Sequence, residues 1–277
     1  MDKHFELTNK FIINAFGVKL FQIKCTRRIK YAEVGDLGGY IEKEDNLSGD
    51  AWVSGDAQVS GDAWVYGDAQ VSGNAQVSGD AQVSGDAQVY GDAWVSGDAQ
   101  VYGNAQVYGN ARVSGDAWVS GNAWVYGNAQ VYGNARVSGN AQVYGNAQVY
   151  GNAWVYGDAR VYGNAQVYGN AQVSGDAQVS GDARVYGNAR VYGNAQVSGD
   201  ARVSNDNEHC GFDCFGSVNR HTHAYKTQSG KVEITCGCFR GSIEEFDRQV
   251  KKTHQGNKFE RQYMAIAEVI KIKFGLK

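Results

Sequence analysis

Residues 51–62 read Ala51-Trp52-Val53-Ser54-Gly55-Asp56-Ala57-Gln58-Val59-Ser60-Gly61-Asp62, two copies of one hexapeptide. The pattern Ala-x-Val-[Ser/Tyr]-Gly-[Asp/Asn] then runs without insertion to Ala201-Arg202-Val203-Ser204-Asn205-Asp206, giving 26 copies. In an extended Ala-x-Val-[Ser/Tyr] segment, alternate side chains face opposite sides. Ala and the β-branched Val share one side, and the variable x and Ser/Tyr positions share the other. Ala and Val are therefore the buried pair. Gly-Asp or Gly-Asn makes a corner, because these residues tolerate positive φ or bond locally to the backbone. Asn205, the one replacement at the Gly position, fits a left-handed corner next best.

One hexad cannot bury its Val alone. Stacking coils solves this and pairs each strand's backbone with its neighbours. Three hexads per turn give a triangular coil of 18 residues, about 8–9 coils in all, and a rod roughly 40 Å long at ~4.8 Å per strand spacing. A two-sided coil of 12 residues is the alternative arrangement of the same hexads. Each buried Val contributes ~1.5 kcal/mol or more before entropy is subtracted, so three per coil sustain a narrow core.

The register extends upstream, since Ile41, Leu47 and Val53 are spaced by six. The chain thus divides into an N-terminal β cap (1–38), a β-solenoid (39–206) and a small C-terminal α+β domain (207–277). Gly17–Cys25 alternates apolar and polar residues and reads as a strand sealing the first coil. Downstream, Ala224–Thr227 and Lys231–Cys236 flank Ser229-Gly230 and read as a hairpin. Ser242-Ile243-Glu244-Glu245 is a capping box opening a helix with Ile243, Phe246 and Val250 on one face. A second helix buries Phe259, Tyr263, Ile266 and Ile270.

Aliphatic Val followed four residues later by small Ala, as in Val53 and Ala57, resembles the hexapeptide repeat of left-handed parallel β-helices. The resemblance supplies the handedness, since general chain physics favours right-handed crossovers. The whole layout is similar to a family of hexapeptide-repeat proteins found in bacterial genomes and their phages. The matching pieces are Gly35-Asp36-Leu37-Gly38-Gly39-Tyr40-Ile41-Glu42, the Val-[Ser/Tyr]-Gly-[Asp/Asn]-Ala array, and Gly237-Cys238-Phe239-Arg240-Gly241-Ser242. This resemblance implies an accessory role, such as a counter-defence inhibitor of a host protein or a sponge for a small ligand.

Charge is uneven: the repeat carries 6 Arg against 13 Asp. Such an acidic rod does not suit generic binding to nucleic-acid phosphates. The N-terminus shows no secretory pattern and no segment suits a membrane span, so a cytoplasmic location is expected. Five Cys, an odd number, then read as free thiols.

Many left-handed β-helices are trimeric acyltransferases using a coenzyme A type donor and a His base. Here the five His (His4, His209, His221, His223 and His254) all lie outside the hexads, and no loop interrupts the coils. The expectation is a non-enzymatic scaffold without a cofactor. Cys210, Cys214, His221, His223, Cys236 and Cys238 are the candidate zinc ligands, set against a reading as core thiols and surface His.

Stepping by 18 residues sorts the outward side chains into three faces. One carries Tyr90, Tyr108, Tyr126, Tyr144 and Tyr162. A second carries Tyr132, Tyr150, Tyr168 and Tyr186. The third carries Trp64, Trp118 and Trp154 among Gln and Arg. With 13 Tyr and 6 Trp directed outward from the hexads, these rows are candidate surfaces for a protein partner or for self-association as a homodimer or homotrimer. The competing reading is a ladder of like side chains that stabilises the solenoid alone.

Overall fold

The computed structural model describes residues 3–276. The 26 hexads form 26 two-residue strands, one per copy. They assemble into three parallel sheets, so the chain turns a corner at every Gly-Asp or Gly-Asn. The register is a shift of one coil: Gln106 pairs with Gln88 and Trp124, and Val107 with Val89 and Val125. Backbone pairing extends past the strands into the corners. Gln106 N–H donates to Ala123 O at 2.9 Å, Tyr108 N–H to Val125 O at 3.0 Å, and Asn110 N–H to Gly127 O at 2.8 Å. Strand and corner amides alike are paired by the next coil, as a buried backbone requires. The 18-residue triangular coil is thus the arrangement adopted.

Inside, every repeat Val is 0% exposed. The repeat Ala residues lie beside them in the same continuous core. The corners explain the glycine. Gly127 has φ +69°, and a Cβ there would lie 3.1 Å from Gly145 N in the next coil. Both the backbone conformation and the coil spacing select glycine. Gly127→Val is expected to cost at least the ~1–3 kcal/mol of strained backbone. Gly127→Asn should cost less, and the two melting temperatures check that order.

Asn205 departs from the expected left-handed corner. Its φ is −158°, and its side chain accepts a hydrogen bond from Asn207 N–H at the start of a short 3-10 turn. The chain leaves the coil here, so no further coil fixes the corner geometry.

At the N-terminal end, strands Phe5–Ile13 and Lys19–Cys25 form an antiparallel pair, and Lys19–Cys25 pairs with Leu37–Ile41. Tyr40 and Ile41 then pair in parallel with Gln58 and Val59, which hands the sheet over to the coil. Leu47 bridges to Val65 in the same sense. Phe5, Ile23 and Cys25 join the rod's core and close its first coil. Trp52, expected to face outward with the other hexad Trp, is 2% exposed beneath this cap. The ring of Phe16, in the turn between the first two strands, stacks on Trp94.

The C-terminal unit is a four-stranded antiparallel sheet, His209–Phe215, Arg220–Lys226, Val232–Cys236 and Phe239–Gly241. Two helices follow, α1 (Ile243–His254) and α2 (Lys258–Phe274). The capping box is present: Ser242 Oγ accepts from Glu245 N–H, and Glu245 Oε2 accepts from Ser242 N–H. One sheet face packs Ala224, Ile234 and Cys236 against Phe246, Tyr263 and Ile270 of the helices. The other face meets the rod, where Tyr225 is 0% exposed and belongs to the solenoid core.

Candidate binding surface

Strict register aligns like outward residues because each side chain sits one strand spacing from its counterpart in the next coil. In the five-Tyr row, ring centroids are 4.8 Å apart for Tyr90–Tyr108, 4.9 Å for Tyr108–Tyr126 and Tyr126–Tyr144, and 5.0 Å for Tyr144–Tyr162. Interplanar angles are 1° to 4°. Tyr132, Tyr150, Tyr168 and Tyr186 stack in the same way at 4.8 to 5.1 Å. Inner rings therefore cover each other's faces and present edges and hydroxyls outward. All nine are half-buried. Partial burial holds the Tyr108, Tyr126, Tyr144 and Tyr150 hydroxyls above the ordinary phenol range, with adjacent Tyr a smaller cause. These hydroxyls stay protonated near neutral pH and can both donate and accept.

The corners carry a second ladder. Asn110 Nδ2 donates to Asn128 Oδ1, Asn128 to Asn146, Asn146 to Asn164, and Asn164 to Asp182. Asn at these positions links neighbouring coils where Asp on Asp would repel.

The third face differs because Ser breaks its outer row: Tyr102, Ser120, Ser138 and Tyr156 follow one another. Trp64 and Trp154 are 42% and 43% exposed, Tyr156 is 36% exposed and Tyr192 is 66% exposed. Trp118, Arg136 and Trp154 are neighbours across three adjoining strands. Arg136's guanidinium carbon lies 4.7 Å from the Trp118 ring centre and 5.0 Å from that of Trp154. A small cleft of about 200 Å³ opens beside this stack, bounded also by Tyr102, Ser120 and Ser138.

The six candidate zinc ligands fall into separate places. Cys210, His221 and His223 line a 250 Å³ pocket between the last coil and the C-terminal sheet. Cys236 and Cys238 line another cavity, against α1 and α2. Cys214 is exposed, on a left-handed residue with φ +64°. Among the described residues, no group of three or more His, Cys, Asp or Glu is arranged to hold a metal ion. Burial pushes the Cys210 thiol up to about 11, so it is not a ready thiolate.

Further residues at that pocket carry no site reading in the sequence, among them His209, Asp206, Asp213 and Lys273. The signal was the two-residue alternation His209-x-Gly211-x-Asp213 opposite His221-x-His223-x-Tyr225. In an antiparallel pair this puts all six on one face. His223 Nδ1 lies 2.9 Å from Gln196 O, so it carries a proton and donates. His223 Nε2 then accepts from His209 Nδ1 at 3.0 Å. Burial pushes His223 down to about 3 and also lowers His209. His221 Nδ1 contacts Asp213 Oδ1 at 2.7 Å. The buried His209–His223 pair, through the His223 bond to Gln196 O, ties the C-terminal sheet to the rod.

These features define the class: a three-sided parallel β-solenoid, closed at both ends by packed caps, with its side-chain display confined to the flanks. The YdcK Beta solenoid repeat pattern matches thirteen segments of the chain, from 57–73 to 195–206, which together span just over half of it. The chain belongs to this repeat family. No curated protein matches the chain. No described helix is long and apolar enough to cross a membrane.

Proposed function

We propose that this β-solenoid is a non-enzymatic scaffold that engages a protein partner, or a second copy of itself, through its outward aromatic rows. The observation that carries this reading is the regular lateral display of Tyr and Trp on a rod whose ends are closed by its own chain. Tyr and Trp offer rigid contact area with a polar tip at low entropic cost. The Tyr ladders supply stiff edges and hydroxyl rows, while the third face supplies open aromatic rings. The likeness to bacterial and phage repeat proteins favours an accessory role in the cytoplasm over a metabolic one. Hexads without His or loops offer no place for an acyl-transfer base, which favours binding over catalysis.

Replacing Tyr108, Tyr126 and Tyr144 together by Ser tests the reading, since Ser already occupies that position in many hexads. The expected result, by mass photometry, is loss of self-association or of a partner complex, with the β-rich circular dichroism retained. Unchanged assembly in the folded variant would leave the row a structural ladder only. A clear thermal shift with coenzyme A or acetyl-coenzyme A would favour the acyltransferase.

A further inference from the structure

We infer that the Trp118–Arg136–Trp154 stack is a preformed seat for an oxyanion, the phosphate or carboxylate head group of a small ligand. Three independent features converge on it. The first is preorganisation. Arg136, itself exposed, lies over two indole rings at 4.7 and 5.0 Å, contacts that restrict its planar fork before any ligand arrives. A guanidinium over an aromatic face keeps in-plane N–H donors at its edge. Among the described residues none of these donors meets a carboxylate, whereas Arg190 pairs with Asp206 and Arg27 with Asp50. Bidentate pairing with an oxyanion uses that edge.

The second feature is charge. Asp and Asn share the hexad corners along the rod, with Asp dominant from Asp56 to Asp98, but from Asn122 to Asn152 every corner is Asn. Between Asp116 and Asp158 the chain holds no acidic residue, and Arg136 is its one ionised side chain. An otherwise acidic rod is thus neutralised around a single locked cation, which lowers the local repulsion an anion would meet.

The third feature is shape. Ser120 and Ser138 interrupt the outer row between Tyr102 and Tyr156, and the space left is the 200 Å³ cleft beside Arg136. This lies below the ~300–1,000 Å³ of sites that enclose a whole drug-sized ligand. It suits a head group, with two hydroxyls able to donate beside the guanidinium. A sugar laid flat on Trp fits less well, because the Arg136 guanidinium already lies over both indole rings.

Arginine side-chain NMR on the full chain tests the site directly. The Arg136 Nε–Hε signal should shift saturably with inorganic phosphate or with acetate, and far less with chloride at equal ionic strength. Response to both anions, or to phosphate alone, supports the seat and separates planar from tetrahedral preference. Asn134→Asp combined with Asn140→Asp keeps residues common at hexad corners and should weaken binding about three- to tenfold. In Arg136→Lys, the matching shifts of the Trp118 and Trp154 indole N–H signals should be lost. Phosphate and acetate acting no more strongly than chloride would overturn the proposal. So would equal shifts at Arg112, Arg160 and Arg136.

Discussion

Val125→Asp is expected to be among the most damaging single substitutions in the rod. Val125 is 0% exposed and stacked between Val107 and Val143 of the adjoining coils. A carboxylate there has no partner and no water. An uncompensated buried charge costs about 3–5 kcal/mol or forces local opening. Val125→Ala, which removes only methyl groups, should cost on the order of 1–3 kcal/mol. Because each coil touches only its neighbours, damage at one coil separates the two halves rather than spreading evenly. Urea unfolding followed by circular dichroism should show a lower midpoint and two resolved steps for Val125→Asp. A single transition at the parent midpoint would contradict a continuous load on the Ala/Val core.

The second large effect is on pH. His223 and His209 both titrate below the ordinary 6.5 in the folded chain, chiefly because they are buried. The unfolded chain takes up protons that the folded chain refuses. Stability is therefore full above about pH 6.5 and falls as pH drops toward about 3, the folded value of His223. The slope approaches ~1.4 kcal/mol per pH unit for each such group. Asp206 partly offsets the protonation of His209, while Lys273 adds to its cost. The Tyr225–Ser198 and Thr235–Gln196 hydrogen bonds also hold the sheet to the rod. Acid should thus loosen the C-terminal unit before the coils. Hydrogen exchange at pH 7.5 and 5.0 should show early loss of protection at His209–Lys226. His223→Gln should flatten the dependence between pH 6.5 and 4.5, above the range where most carboxylates titrate. An equal slope in that variant would show that the His209–His223 pair is not the sensor.

Much of this architecture was legible because the hexad repeats one physical instruction. Ala and Val at alternate positions, with a left-handed Gly four residues after each Ala, specify strand, face and corner in every copy but the last, where Asn205 stands. Stepping by 18 residues also placed every Tyr of the two long rows on its proper face. The caps were harder. Strand Phe5–Ile13 interleaves Thr8, Asn9 and Lys10, and much of it is solvent-facing, so it lacks the alternation of Lys19–Cys25. His209–Phe215 carries Gly211, and its Cys, Asp and His did not read as a strand. Trp52 and Trp94 follow the hexad rule, yet their outer surfaces meet the N-terminal cap, a tertiary contact the repeat does not encode. The Arg136 stack needed the sequence neighbours of three coils and their ring geometry together. An Arg eighteen residues from each of two Trp is visible in the chain, but a guanidinium held between the rings is not.

An 18-residue coil places residues 126 apart on one face, seven coils away. Spin labels on Ser54→Cys and Ser180→Cys, with the five native cysteines replaced by Ala, measure that span by pulsed electron paramagnetic resonance. At ~4.8 Å per coil the predicted separation is a single narrow peak near ~34 Å, before label length is added. Coils of 12 residues would put the labels on opposite sides and about 50 Å apart along the axis, and a distribution centred there would contradict the account.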